Sequence, residues 1–125
     1  MFLKYSLVRA TTVCLALLAL SACQDEENPL LSTSAGKLAA IDAGTKSITE
    51  IQVNPYKTIL SKLETKCEDT RSGIADTAVR ATELFKSKKG IEVSNLSVMQ
   101  MIDESIPAGT KMNCVEIISA IILLS

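Results

Sequence analysis

The chain has 125 residues, with 13 basic and 14 acidic side chains and a formal net charge of -1. This length allows one small domain, the charge balance excludes the basic footprint of a nucleic-acid-binding protein, and the lack of histidine excludes catalysis by an imidazole. Hydrophobic residues make up 47% of the chain but aromatic residues only 3%, so the core must consist mainly of aliphatic side chains.

Residues 1 to 22 have the layout of an export signal. Two basic residues, Lys4 and Arg9, precede an apolar run at 13 to 20, and small residues follow it. The run is shorter than the roughly 20 residues that cross a bilayer. We therefore predict that residues 1 to 22 are removed. This leaves 103 of the 125 residues and takes away two of the 13 basic side chains, so the remaining chain carries a net charge of −3.

The segment ends in Leu20-Ser21-Ala22-Cys23. These residues resemble the lipobox of bacterial lipoproteins, Leu-(Ala/Ser)-(Gly/Ala)-Cys. The resemblance implies that Cys23 carries a thioether-linked diacylglycerol, becomes the new N-terminus and is usually acylated on its amine. Several acyl chains anchor a protein firmly in a membrane. A plain secretory peptide and an uncleaved anchor are the alternatives.

The residue after Cys23 bears on the choice of membrane. In enterobacterial sorting, an aspartate directly after the lipidated cysteine favours retention in the inner membrane. This chain has Gln24 there. The resemblance therefore implies a lipid anchor in the outer membrane, facing the periplasm, and we expect no cofactor other than the covalent lipid on Cys23.

Two of the four cysteines are left once Cys14 is removed with the signal and Cys23 is lipidated. Cys67 and Cys114 form an even pair in an oxidising compartment, which predicts a disulfide. The bond would close a loop of 47 residues and contribute about 4 kcal/mol to stability. A metal site or two free thiols are the alternatives, but the chain has no histidine that could complete a zinc site.

We predict a flexible tether at residues 23 to 53 and a helical domain at 54 to 125. Residues 24 to 36, QDEENPLLSTSAG, are charged at first and then rich in small residues. KLAAIDA, at 37 to 43, is compatible with one or two helical turns, and ITEIQV, at 48 to 53, with a short strand or an extended arm. Such a tether would hold the domain off the bilayer.

The domain is predicted to be all-α, a small bundle of about four helices stapled by one disulfide. Asn54 and Pro55 have the chemistry of an N-cap and a first helical residue. A second helix is expected to run from near Asp69 or Ser72 to the lysines before Gly90. Apolar residues recur with a helical period, which predicts these inward faces: Tyr56, Leu60, Leu63 and Cys67, then Ile74, Ala78, Ala81 and Phe85, then Met99, Ile102 and Ile106.

The last predicted helices follow two serines and a turn. Ser94 or Ser97 can cap the third helix, which should end before Pro107-Ala108-Gly109. The fourth runs from about Thr110 to the end, and its CVEIISAIILL stretch is apolar around most of its circumference. We therefore expect this segment at the centre of the fold. Its isoleucine content leaves a strand as the alternative.

The sequence has no motif that indicates catalysis. Asp103 and Glu104 are adjacent and therefore diverge by about 100° on a helix, which is unsuitable for a cooperating carboxylate pair. A serine–lysine pair formed through space stays open. Met99 and Met101, with Met112 nearby, resemble soft ligands for Cu(I), but core packing is the simpler interpretation. We predict that the protein is not an enzyme and binds no metal.

These features predict a membrane-anchored, non-enzymatic module that binds an unknown envelope protein, as exclusion, immunity and envelope-accessory lipoproteins do, and no nucleic acid. One face of the domain should then carry an apolar or charged patch. The segment 66 to 69, with a second cysteine further on, is similar to periplasmic acid-stress chaperones of the HdeA type, which implies a chaperone instead. The chain departs from them in having a lipid anchor and no tryptophan. A structural role between envelope layers is a third possibility.

Overall fold

A computed structural model describes residues 28 to 125, which form five α-helices preceded by a 3-10 turn. The predicted signal (1 to 22), the lipidation site Cys23 and the residues up to 27 lie outside this part. No strand occurs within residues 28 to 125, so the all-α prediction is confirmed there. The 3-10 turn spans Pro29–Ser32, and the helices are α1 (Ser34–Ala43), α2 (Glu50–Lys66), α3 (Arg71–Lys89), α4 (Asn95–Ser105) and α5 (Cys114–Leu124).

Helices α2, α3 and α4 pack on one another and form the central part of the bundle. The three inward faces predicted from the sequence are confirmed. Every residue predicted to point inward on these helices is at most 8% exposed, the largest value being that of Tyr56. Helix α1 packs on all three of these helices, whereas α5 packs on α3 and α4 only, apart from minor contacts.

The predicted tether at 23 to 53 is wrong from Asn28 onward, because this stretch belongs to the folded domain. Thr33 caps α1 by accepting a hydrogen bond from the Gly36 amide, and Gly44 ends the helix in the left-handed conformation. Ala35 and Leu38 are each 1% exposed and join the core. The small residues that suggested a flexible segment allow α1 to pack closely against the other helices.

Helix α2 also begins earlier than predicted, and ITEIQV is neither a strand nor an extended arm. Thr49 is the N-cap and forms a capping box with Gln52, in which each side chain bonds the other residue's backbone amide. Asn54 is therefore not the cap, and Pro55 lies inside the helix. As the sixth helical residue it has no N–H to donate to the carbonyl of Ile51, a loss that the rest of the helix and its packing must offset.

Helix α5 confirms the helical interpretation of the C-terminal segment, but its predicted central position is wrong. It lies at the edge of the bundle, where only Cys114, Ile118 and Ile122 are buried. None of the helices described between residues 28 and 125 is long and apolar enough to cross a membrane.

Gly36 is required for the packing of the 3-10 turn on α1. A Cβ atom at this position would overlap the carbonyl oxygen of Leu30. We expect Gly36→Ala to lower the free energy of unfolding by about 1–3 kcal/mol, because the turn must move away from the helix. Urea denaturation measures this effect, and limited proteolysis should detect earlier cleavage before Thr33.

Gly73→Ala is the matched control for this prediction. A Cβ atom at Gly73, in the first turn of α3, would meet Thr70 Oγ1 at 3.4 Å, which is ordinary contact. The control should therefore be neutral or slightly stabilising. Equal destabilisation by both alanines would contradict the role of Gly36.

Candidate binding surface

The two cysteines predicted to pair, Cys67 and Cys114, are joined in a buried disulfide. Cys67 is the C-cap of α2 and Cys114 is the first residue of α5, and their Cα atoms lie 5.4 Å apart. Both residues are at most 1% exposed. The disulfide prediction is confirmed, and the alternatives of a metal site and two free thiols are excluded for this pair.

Backbone hydrogen bonds reinforce the link between the two chain segments. Met112 donates its amide to the carbonyl of Lys66 at 2.9 Å, and Glu68 donates its amide to the carbonyl of Met112 at 3.1 Å. These bonds form a single parallel bridge beside the disulfide. The start of α5 is thereby held at the end of α2.

The three methionines considered as copper ligands have packing roles. Met99 is completely buried in the core, while Met101 and Met112 are partly buried and pack against it. Among residues 28 to 125, no group of three or more carboxylate or cysteine side chains is arranged to hold a metal ion.

An apolar groove lies between α3 and α5. It has a volume of about 240 Å³ and is lined from α3 by Ala81 and Leu84, and from α5 by Val115, Ile118 and Ile122. Leu84 and Val115 are 40% and 47% exposed. Its polar lining residues are Thr77, Arg80 and Ser119. The lining is therefore mainly apolar and includes a single cationic side chain.

The last turn of α5 exposes further apolar side chains. Leu123 and Leu124 are 78% and 88% exposed, and Ala120 is exposed on the same side of the helix. The position of α5 at the edge of the bundle explains this exposure, because one side of an apolar helix has no neighbour there. We refer to the α3–α5 groove and these C-terminal side chains together as the α5 surface.

A second cluster is polar and centres on Asp42, near the end of α1. Its carboxylate accepts hydrogen bonds from the Tyr56 hydroxyl at 2.7 Å and from the backbone amides of Asn95 and Leu96 at 2.9 and 3.1 Å. The two amides belong to the first turn of α4, whose positive dipole end favours a carboxylate. One side chain thus links α1 to α2 and α4.

A shallow groove of about 420 Å³ adjoins this cluster. Its charged lining consists of Asp42, Glu83, Lys86 and Glu92. Asn95 also lines the groove, is 1% exposed, and has no hydrogen-bond partner for its side-chain amide within the described part of the chain. The chemistry available here is hydrogen bonding and charge pairing.

Burial raises the pKa of the Tyr56 phenol above its ordinary value, and the hydrogen bond to Asp42 and the charge of that carboxylate raise it further. Since the folded state holds the proton more tightly than the unfolded state, this contribution is complete below the unfolded pKa of about 10 and is lost as the pH rises above it. We expect the free energy of unfolding to fall at alkaline pH by up to about 1.4 kcal/mol per pH unit.

The Tyr56 prediction can be checked by absorbance because the chain has no tryptophan and only two tyrosines. In protein that starts at residue 23, Tyr56 is the one remaining phenol, so the phenolate band reports on it alone. The band should appear above pH 10 in folded protein and near pH 10 in urea. Tyr56→Phe should remove this component of the alkaline destabilisation. A phenol that titrates alike in both states would refute the prediction.

Sequence reasoning missed Asp42. One signal could have revealed it: Asp42 is the single charged residue in the otherwise apolar stretch LAAIDA. A lone carboxylate among apolar residues suggests that it has a specific partner elsewhere in the fold. Its hydrogen-bond partners lie up to 54 residues further along the chain. No local pattern identifies partners at that separation.

Comparison of the chain with family models, with curated proteins and with solved structures finds no match in any of the three.

Proposed function

We propose that this protein is a lipoprotein, anchored through Cys23 in the outer membrane and facing the periplasm, that acts as a non-enzymatic module for binding another envelope protein. The lipobox-like residues at 20 to 23 support the anchor. The α5 surface supports the binding role, because exposed apolar side chains concentrated on one helix of a small domain are typical of an interaction site. A partner should present an apolar segment to the groove and an acidic group to Arg80.

The lipid anchor has a direct test. Mass spectrometry of protein purified from bacterial membranes should show a chain that starts at Cys23 and carries a diacylglycerol and an amine-linked acyl group. A Cys23→Ser variant should lose the lipid and leave the membrane fraction. An intact residue 1 in the mature protein would overturn the anchor.

The binding role is tested by site-specific photo-crosslinking in cells. A photoreactive residue replacing Ser119, an exposed residue that lines the groove, should give one discrete adduct with an envelope protein. The same group replacing Lys62, which is exposed on α2, should not give that adduct. The absence of any adduct at Ser119, or identical adducts at both positions, would contradict a specific surface.

Charge substitution supplies the matched control for this experiment. Leu84→Lys places a cation in the groove and should abolish the adduct, because a buried unpaired charge opposes docking. Ile51→Lys changes an apolar residue that is 82% exposed at the far end of α2 from the disulfide, and it should leave the adduct unchanged. Both variants alter exposed positions, so both should fold.

A second candidate function, a periplasmic acid-stress chaperone, is favoured by the carboxylates between helices. Asp42 holds α1 to α2 and α4, and Asp103 Oδ1 on α4 lies 2.9 Å from Lys66 Nζ on α2. A chaperone of this type would lose both links in acid at about pH 2 to 3 and would then expose apolar core residues of α1. Circular dichroism and a test of aggregation suppression at that pH would distinguish this function from the first.

A further inference from the structure

The folded domain starts much closer to the predicted lipidation site than the sequence suggests. The side-chain amide of Asn28 donates to the carbonyls of Lys46 and Ile48 at 3.3 and 3.0 Å, and its Oδ1 accepts from the Leu30 amide at 3.0 Å. Asn28, the first residue that the structure describes, is therefore bound to the loop between α1 and α2, and the chain enters the domain there. Only residues 24 to 27 separate Cys23 from this attachment.

An apolar surface lies directly beside this entry point. It is a groove of about 500 Å³ lined mainly by Leu31, Lys37, Ala40, Ile41, Thr45 and Lys46. Ile41 is 57% exposed, and both lysines are exposed. Neither lysine forms an ion pair with another side chain between residues 28 and 125, and no acidic residue lines the groove. We call these residues the α1 surface.

The length of the connection limits how far this surface can be from a membrane. Each Cα–Cα step of a fully extended chain spans at most about 3.6 Å, so the five steps from Cys23 to Asn28 span at most about 18 Å. A domain of about 100 residues has a radius of gyration of about 13 Å. When Cys23 is lipidated, Asn28 therefore stays within about 18 Å of the lipidated residue, which is less than the diameter of the domain. The side on which the chain enters cannot then be the side furthest from the membrane.

We propose that the α1 surface is the membrane-facing side of the domain and rests on the phospholipid headgroup layer that holds its own lipid anchor. This inference rests on the proposed lipidation of Cys23. Leu31 and Ile41 point apolar surface toward the interface, and the stems of Lys37 and Lys46 cover apolar surface while their ammonium groups reach phosphates.

The contact depends more on the anchor and on apolar side chains than on attraction to anionic lipid. The connecting residues include three carboxylates, those of Asp25, Glu26 and Glu27, which offset the charges of Lys37 and Lys46. The surface should therefore also dock on largely zwitterionic bilayers. The α5 surface is left for a protein partner, because α5 packs on α3 and α4 and has no comparable packing on α1.

Lysine footprinting of the lipidated protein tests this orientation. The protein is reconstituted in vesicles of phosphatidylethanolamine with a minor share of phosphatidylglycerol, treated with a membrane-impermeant acylating reagent and digested for mass spectrometry. Lys37 and Lys46 should react severalfold more slowly than in lipid-free protein starting at residue 24. Lys62 and Lys88, exposed on α2 and α3, should react equally in both.

A matched pair of variants assigns the protection to the α1 surface. Ile41→Asp should restore the reactivity of Lys37 and Lys46 on vesicles, whereas Ile51→Asp, at an exposed position outside this surface, should not. Equal reactivity of Lys37 and Lys46 in the lipidated and lipid-free proteins would overturn the proposal. So would protection that is already present in lipid-free protein, because another copy of the chain would then cover the surface.

The outcome also separates this inference from the proposed function. Mass spectrometry establishes beforehand whether Cys23 carries lipid, and photo-crosslinking at Ser119 reports on the α5 surface independently. A lipidated protein whose Lys37 and Lys46 stay fully reactive refutes the orientation alone.

Discussion

Replacement of Cys67 and Cys114 by alanine should lower the free energy of unfolding by about 4 kcal/mol. The disulfide closes a loop of 47 residues, and its removal increases the conformational entropy of the unfolded chain. Small domains are stable by about 5–15 kcal/mol in total, so this loss is a large share. Urea denaturation followed by circular dichroism measures the change.

Chemical reduction provides the control for this prediction. A reductant should destabilise the wild-type protein by about the same amount and should leave the double variant unchanged. The backbone bonds between Met112 and the residues on either side of Cys67 stay available in both cases. A double variant as stable as the oxidised protein would mean that these bonds and the core suffice to hold α5.

Asp42→Ala should lower the free energy of unfolding by about 3 kcal/mol, the second largest effect that we expect. The substitution removes three hydrogen bonds and leaves the Tyr56 hydroxyl and the amides of Asn95 and Leu96 without their acceptor. A partly buried polar group that loses its partner costs about 1–3 kcal/mol, and solvent can compensate part of that cost. Urea denaturation at neutral pH measures the effect.

Two further substitutions assign the cause of the Asp42→Ala effect. Asp42→Asn keeps one oxygen acceptor but loses the negative charge that the positive N-terminal end of α4 stabilises. Its loss of unfolding free energy should therefore be smaller than that of Asp42→Ala. Asp76→Ala removes an exposed carboxylate from α3 and should change stability by less than about 0.5 kcal/mol. If Asp42→Ala and Asp76→Ala had equal effects, Asp42 would have no special structural role.

The disulfide and the hydrogen bonds of Asp42 each stabilise one of the two outer helices, α5 and α1. The disulfide holds the start of α5 at the end of α2, and Asp42 holds the end of α1 against α2 and the start of α4. Helices α1 and α5 in turn carry the two surfaces to which we assign the membrane and the protein partner. Loss of the disulfide should therefore affect the α5 surface more, and loss of the Asp42 hydrogen bonds should affect the α1 surface more.

The sequence by itself determined which faces of α2, α3 and α4 are buried. The predicted inward positions of these helices recur every three or four residues, and the residues at those positions are buried in the structure. The pairing of Cys67 with Cys114 was also predictable, because Cys14 and Cys23 were expected to leave with the signal and to carry lipid, and the two cysteines that remain allow one disulfide. Both predictions use local periodicity or counting, and neither requires knowledge of distant contacts.

Only the tertiary structure decided where the domain begins and where α5 lies. Residues 28 to 53 are rich in small and polar side chains with aliphatic residues between them, a composition that is compatible with a flexible segment. They are folded because α1 packs against α2, α3 and α4. The apolar composition of α5 predicts that it is buried, but it does not determine how many other helices pack against it. Asp42 shows the same limit, because its partners are 14 to 54 residues away and the free energy of their contact arises only after the chain has folded.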